Sequence, residues 1–183
     1  MSGVVGASRK SIFIILAASI VLTTCLIFAI IFILIPKPNT ETSYYTVKEV
    51  IDGDTVILNT GERIRYLGID TPELHHPKIA PECGSEEAKA ENIKLITGKR
   101  LRIERDITDA DQYGRLLRYV YTEDGQFVNY EIVRKGWAQV FIIYPDCKYE
   151  KILIDAQLSA VNENLGIWGH CIDDQRENVN DNE

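Results

Sequence analysis

The chain is 183 residues long, 45% hydrophobic and 26% charged, which excludes collagen-like, low-complexity and wholly disordered proteins. A formal net charge of −7 excludes a basic coat for nucleic acid. Four cysteines are too few for a disulfide-dense scaffold, and the length suits one compact domain with an appendage.

The appendage comes first. Ile12 to Ile35 (IFIILAASIVLTTCLIFAIIFILI) carries no charge over 24 residues. As a helix it extends roughly 36 Å, enough to cross a bilayer core of about 30 Å. Its polar side chains, Ser19, Thr23 and Thr24, carry hydroxyls that can bond back to the helix. A cleaved signal peptide would have a shorter apolar run and a cut site of small residues, which Pro36-Lys37-Pro38 does not offer. Lipid attachment at Cys25 is disfavoured by Thr24 before it and by the apolar sequence after it. Arg9 and Lys10 precede the run and Lys37 alone follows closely, so the positive-inside rule orients it. The expectation is a cytoplasmic N-terminus over 1–11 and a single transmembrane helix over 12–35. A polar linker follows over 36–43, and the rest of the chain lies outside the cell.

Residues 44–183 hold 17 basic and 26 acidic residues, a net of −9. Tyr44 to Ile51 alternates as a strand. Thr55 to Leu58 and Arg63 to Leu67 read as a hairpin around Asn59-Thr60-Gly61. Ser85 to Thr97 reads as a helix with Ser85 as its cap and Gly98 as its stop. Arg100 to Arg105 and Leu116 to Thr122 are strands, and Asn129 to Lys135 is a short helix ended by Gly136. Ala138 to Ile143 is a further strand, and Tyr149 to Asn164 is the most amphipathic helix. The acidic tail 172–183 reads as disordered. This order fits an α+β domain over 44–171, a small closed barrel capped by helices.

The hairpin carries the first chemical signal. With its turn at Asn59 to Glu62, partner numbers sum to about 121, so residue 54 faces residue 67 and Asp54 approaches Asp70. Two carboxylates meeting at a hairpin mouth repel unless a cation or a proton separates them. Two carboxylates with a backbone carbonyl suit Ca²⁺ or Mg²⁺ and not zinc. The bland alternative is a pair of turn-capping aspartates in solvent. Glu73 follows the rigid turn Asp70-Thr71-Pro72. Which of Arg63 and Arg65 is solvated stays open, and Arg115, after Tyr113-Gly114, reads equally as a surface residue.

The stretches VIDGDTVIL, RIRYLGIDTPE, HHPK, ECGSEEA, DQYGRLLRYVY, VNYEIVRKGWAQV and NLGIWG fall in order across about residues 44–169. Together they resemble the staphylococcal nuclease (thermonuclease) family. The resemblance implies a five-stranded OB-fold barrel with three helices. It also implies a Ca²⁺-dependent phosphodiesterase that cuts DNA and RNA and leaves 3′-phosphates. Carried over by motif, Asp54, Asp70 and the Thr71 carbonyl are implied as calcium ligands. Glu73 falls at the position of the general base, and Arg65 and Arg115 at those of the arginines that grip the phosphate. In the family's two-tyrosine base pocket, this alignment keeps Tyr144 but places Ile142 at the other position, with Phe141 expected on the opposite face of the strand. Tyr113 is a candidate substitute platform. Gln112 stands where the family has lysine, and the net of −9 contrasts with the basic charge that the family resemblance implies.

His75 and His76 read as a solvated loop pair, His170 as a tail residue, and Trp137 and Trp168 as packing residues. Cys83, Cys147 and Cys171 allow one disulfide. Cys83 to Cys171 is favoured, with Cys147 an open alternative. The sequence thus points to a monomeric, membrane-anchored, outward-facing nuclease acting on DNA and RNA. The rivals are a catalytically silent OB module that binds nucleic acid or protein, and a surface domain stabilised by calcium.

Overall fold

The computed structural model describes residues 19–28, 30, 43–74 and 80–171. The chain divides into two units, Met1–Glu41 and Thr42–Glu183. In the first, residues 19–28 are helical. The hydroxyls of Thr23 and Thr24 donate to the Ile20 and Val21 carbonyls at 2.9 and 2.8 Å, as a hydroxyl in an apolar helix is expected to do. Among the described residues no helix is long and apolar enough to cross a membrane. Most of the span expected over 12–35 lies outside the described residues. So do segment 1–11, nearly all of the 36–43 linker, His75, His76 and the 172–183 tail.

The second unit is an α+β domain. Its strands are β1 (Tyr44–Tyr45), β2 (Val47–Val50), β3 (Thr55–Leu58), β4 (Arg63–Tyr66), β5 (Gly68–Asp70), β6 (Leu101–Glu104), β7 (Leu116–Thr122) and β8 (Gln139–Phe141). Its helices are α1 (Ser85–Ile96), α2 (Val128–Arg134) and α3 (Glu150–Asn162). Six strands form one mixed sheet in the order β1-β6-β7-β4-β3-β2, and β5 pairs with β8 in a separate ribbon. The expected closed five-stranded barrel is therefore not what forms. Its first predicted strand, Tyr44 to Ile51, is broken at Thr46 into β1 and β2. These pieces bond to different partners, β6 and β3, at opposite ends of the sheet order, and no ladder joins them.

Two pairings decide where the chemistry falls. The β3–β4 hairpin pairs Thr55 with Arg65 and Val56 with Ile64, so partner numbers sum to 120. The Tyr66 amide donates to the Asp54 carbonyl at 2.8 Å, which places Asp54 opposite Tyr66, one residue away from the expected Leu67. The second pairing is parallel: β4 runs alongside β7, with Arg65 against Leu117. Residues some fifty positions apart in sequence thereby lie side by side at the centre of the sheet.

The core is built from inward residues of these strands, including Val56, Leu58, Ile64 and Val120, closed by Ile132 of α2 and Leu153 of α3. Two fully buried asparagines stitch the layers. Asn92 of α1 accepts from the Tyr66 hydroxyl at 3.0 Å and donates to the Asp52 carbonyl at 3.1 Å. Asn129 of α2 donates to the Leu67 carbonyl and accepts from the Val120 amide, both at 2.9 Å. A buried amide of this kind satisfies main-chain groups that no sheet ladder reaches. Helix α1 begins differently from expectation. Gly84, in the left-handed region at φ +83°, is its N-cap, and Ser85 is buried inside the first turn with no side-chain cap bond.

Candidate active site

Asp54 sits at the mouth of the hairpin and is 4% exposed. Its Oδ2 accepts from the Thr71 amide at 2.9 Å and the Thr71 hydroxyl at 3.0 Å, and its Oδ1 from the Thr55 hydroxyl at 3.1 Å. The Asp52 carboxylate accepts from the Asp54 amide at 3.1 Å and shapes the turn into β3. Gly53 has no room for a side chain, since a Cβ there would lie 2.6 Å from Thr71 Cγ2 and 2.8 Å from Ala88 Cβ. The two aspartates of the DGD sequence are thus held by the close approach of Thr71 and α1.

Arg65 joins the two candidate ligands. Its Nη1 is 2.9 Å from Asp54 Oδ2, and its Nη2 is 2.5 Å from Asp70 Oδ1. Nη1 also donates to the Tyr66 and Ile69 carbonyls at 2.9 and 2.8 Å. Burial pushes the Asp54 carboxyl above the ordinary range. Arg65 pulls it down, while Asp52 and Asp70 add to the rise. The rise is the physical direction for a carboxylate this far from water, and one guanidinium shared with Asp70 does not offset it. A single cation's worth of positive charge is what the two carboxylates face.

Glu73 lies past the end of β5 and is exposed. Its carboxyl is also raised, first by partial burial and then by the charges of Asp52 and Asp70, with Arg65 opposing.

Arg65 and Arg115 both line a cleft of about 390 Å³ with Asp111, Tyr113, Phe141 and Ile143. Arg115 Nε donates to Asp111 Oδ2 at 2.7 Å, and Asp111 Oδ1 accepts from the amides of Tyr113 and Arg115 at 2.9 and 3.0 Å. Asp111 is partly buried, which raises its pKa, but these bonds outweigh burial and hold the carboxyl below its usual value. Arg65 thus contacts both Asp54 and Asp70 and shares a cleft with Arg115, with Thr71 behind Asp54. Thr71 contributes its amide and hydroxyl to Asp54, a bracing role added to the ligand role expected for its carbonyl.

Of the expected substrate platforms, Tyr113 lines the cleft and is 76% exposed. Tyr144 is 70% exposed but lies off the cleft lining, and its hydroxyl donates to the Glu150 carboxylate at 3.1 Å. Phe141 and Ile143, one register from the expected positions, face the cleft instead. Of the residues that the sequence left unassigned, Asp52 and Asp111 had a detectable signal. Each is an aspartate shortly before a turn glycine or site residue, where a carboxylate caps the backbone. Asn92 and Asn129 had none, because their partners are 26 or more positions away for Asn92 and 62 for Asn129 toward Leu67.

Among the described residues no group of three or more His, Cys, Asp or Glu is arranged to hold a metal ion. Asp54 and Asp70 nevertheless present oxygen only, around one guanidinium. That donor chemistry fits a hard divalent cation completed by main-chain oxygen and water, not a zinc or a redox metal.

Fold and site together define a small α+β domain with an anion-receptive cleft against a carboxylate rim. Its sequence identifies the group of proteins. The model of the family described as staphylococcal nuclease homologue matches residues 63–170, and the chain belongs to that family. It is 37% identical over 127 residues to a thermonuclease of Staphylococcus intermedius, covering 68% of this chain and 75% of that one. It is also 37% identical over 129 residues to the endonuclease YncB of Bacillus subtilis, with 67% and 60% covered. A third relative is the SPbeta prophage-derived endonuclease YokF of the same species. It is 36% identical over 128 residues, with 67% and 43% covered. The two Bacillus proteins are thus substantially longer than the matched stretch.

Proposed function

We propose that this protein is a nuclease, a Ca²⁺-dependent phosphodiesterase that cuts DNA and RNA and leaves 3′-phosphate ends. The observation that carries the reading is the shared cleft of Arg65 and Arg115 beside Asp54 and Asp70. The nuclease names of the relatives support it.

A phosphodiester is an anion, and attack by water spreads further charge over its equatorial oxygens. Two guanidinium groups set around that charge stabilise the transition state more than the ground state. Their forked donors match phosphate oxygens in a way a lysine does not. Asp111 fixes one fork from behind through the Arg115 Nε bond. Glu73, its carboxyl raised first by partial burial and then by Asp52 and Asp70, takes the proton from the attacking water, a step typically worth about 10²–10⁴-fold. Asp54, Asp70 and the Thr71 carbonyl would hold the calcium ion. When bound, it supplies Lewis-acid polarisation of the phosphoryl oxygen and neutralises the carboxylate rim. Tyr113 and Phe141 offer faces on which a base can stack. With a net of −9 over 44–183, long-range attraction is weak and local contacts carry the affinity.

The proposed setting is the outer cell surface, with the protein monomeric and anchored by Ile12 to Ile35. The charge-free run and the Arg9-Lys10 flank support this placement. The purified full chain in detergent, incubated with single-stranded DNA or RNA, is expected to cut with Ca²⁺ and not with chelator. Glu73→Gln and Arg115→Ala should each lose at least about 10²-fold in rate. Failure of the parent to cut under calcium sinks the proposal. Protease digestion of intact cells tests the anchor: the domain should be degraded from outside.

A further inference from the structure

We propose that Glu82 is a positioning residue for Glu73, gripping its main chain on both sides; the inference rests on the nuclease reading above. Strand β5 ends at Asp70, so no sheet ladder holds Glu73. Its two main-chain groups instead meet one residue. The Glu73 amide donates to Glu82 Oε2 at 3.0 Å, and the Glu73 carbonyl accepts from the Glu82 amide at 3.0 Å. A carboxylate accepting from an amide makes a stronger restraint than a neutral acceptor. Residue 82 therefore fixes both where the Glu73 backbone sits and how it is turned.

Glu82 is itself well anchored. Its carbonyl accepts from the Ser85 amide at 3.1 Å at the start of α1. The next residue, Cys83, is covalently joined to Cys171. Gly84, at φ +83°, lies against Ile167 so closely that an added Cβ would stand 2.8 Å from Ile167 Cγ2. The clamp on Glu73 is thus referenced to α1 and, through Cys83, to Cys171 at the far side of the domain's sequence. A general base displaced by about 1 Å loses on the order of 10²-fold in rate. A partial loosening through one lost hydrogen bond is expected to cost about tenfold.

The test compares the full chain with Glu82→Ala and with Glu82→Gln, which keeps an oxygen acceptor. Hydrogen exchange at the Glu73 amide is followed by NMR in calcium-free protein. Turnover of single-stranded DNA is followed separately with calcium. The Ala variant is expected to exchange at least about fivefold faster at Glu73. Its kcat should fall about tenfold while KM stays within about twofold. The Gln variant should recover most of both. Unchanged exchange in Glu82→Ala overturns the clamp, and faster exchange with an unchanged kcat overturns its catalytic role. A parent that cuts nothing overturns the nuclease reading on which the proposal rests, and the exchange measurement still decides the contact.

Discussion

The two guanidinium groups are held in unlike ways, and the difference is testable residue by residue. Arg65 is bound by two carboxylates and two carbonyls, whereas Arg115 is fixed through one nitrogen by Asp111, which leaves its remaining donors for a ligand. Arg115→Lys keeps the charge but removes the fork. It should lower kcat/KM by about 10²–10³-fold in a phosphodiesterase assay, with stability within about 0.5 kcal/mol of the parent. Glu104 makes a different prediction. Its Oε2 accepts from Arg102 at 3.2 Å, and its Oε1 accepts from Lys148 and from the Tyr149 hydroxyl. Burial raises its pKa, but these bonds prevail and leave it below the ordinary glutamate value of 4.5. The stabilisation is therefore fully present above about pH 4.5 and is lost as pH falls through the lower folded value. Urea denaturation should find Glu104→Gln about 1–2 kcal/mol less stable at pH 7, the gap narrowing as pH falls below about 4.5. At this scale the sequence is most informative where motifs are local. Asp54 and Asp70, expected to approach through the hairpin register, both contact Arg65, and Arg65 shares a cleft with Arg115. Phe141, the last residue of β8, and Ile143 line that cleft, one residue off the Ile142 and Tyr144 positions that the alignment marked.

Among the elements, β3 and β7 occupy the residues expected, β3 because the turn signal Asn59-Thr60-Gly61 ends its apolar run and β7 because its seven residues are rich in strand formers. Strand β5 leaves no such mark. Its three residues, Gly68 to Asp70, have no room for a period, and their partner β8 is about seventy positions away. The hairpin register differs by one from expectation because the sum of partner numbers depends on how the turn at Asn59 to Glu62 closes, which composition does not fix. At the start of α1 a left-handed glycine takes the cap position expected for a serine. The asparagines that tie elements together offer the sharpest energetic test. Asn129→Ala strips the Leu67 carbonyl and the Val120 amide of their partner inside the core. The expected loss is about 2–4 kcal/mol in a two-state denaturant titration. A loss under about 1 kcal/mol would mean that water replaces the side chain.

For the molecule as a whole, the disulfide is the strongest single restraint. Cys83 and Cys171 are 88 positions apart with Cα atoms 5.8 Å apart. Closing a loop of that size reduces the entropy of the unfolded chain by an amount worth about 4–5 kcal/mol. A reductant should lower the urea midpoint accordingly, while Cys147, a half-buried free thiol, stays as it is. The parallel alignment of β4 with β7 has a further consequence for how such a protein comes into being. A nascent chain emerging from the ribosome presents Arg65 early, but the neighbouring strand arrives only once residue 116 and beyond are out. The companion of Asp70 on β8 waits until residue 139. The chain must therefore be out to at least residue 139 before the strands that flank the cleft can all pair.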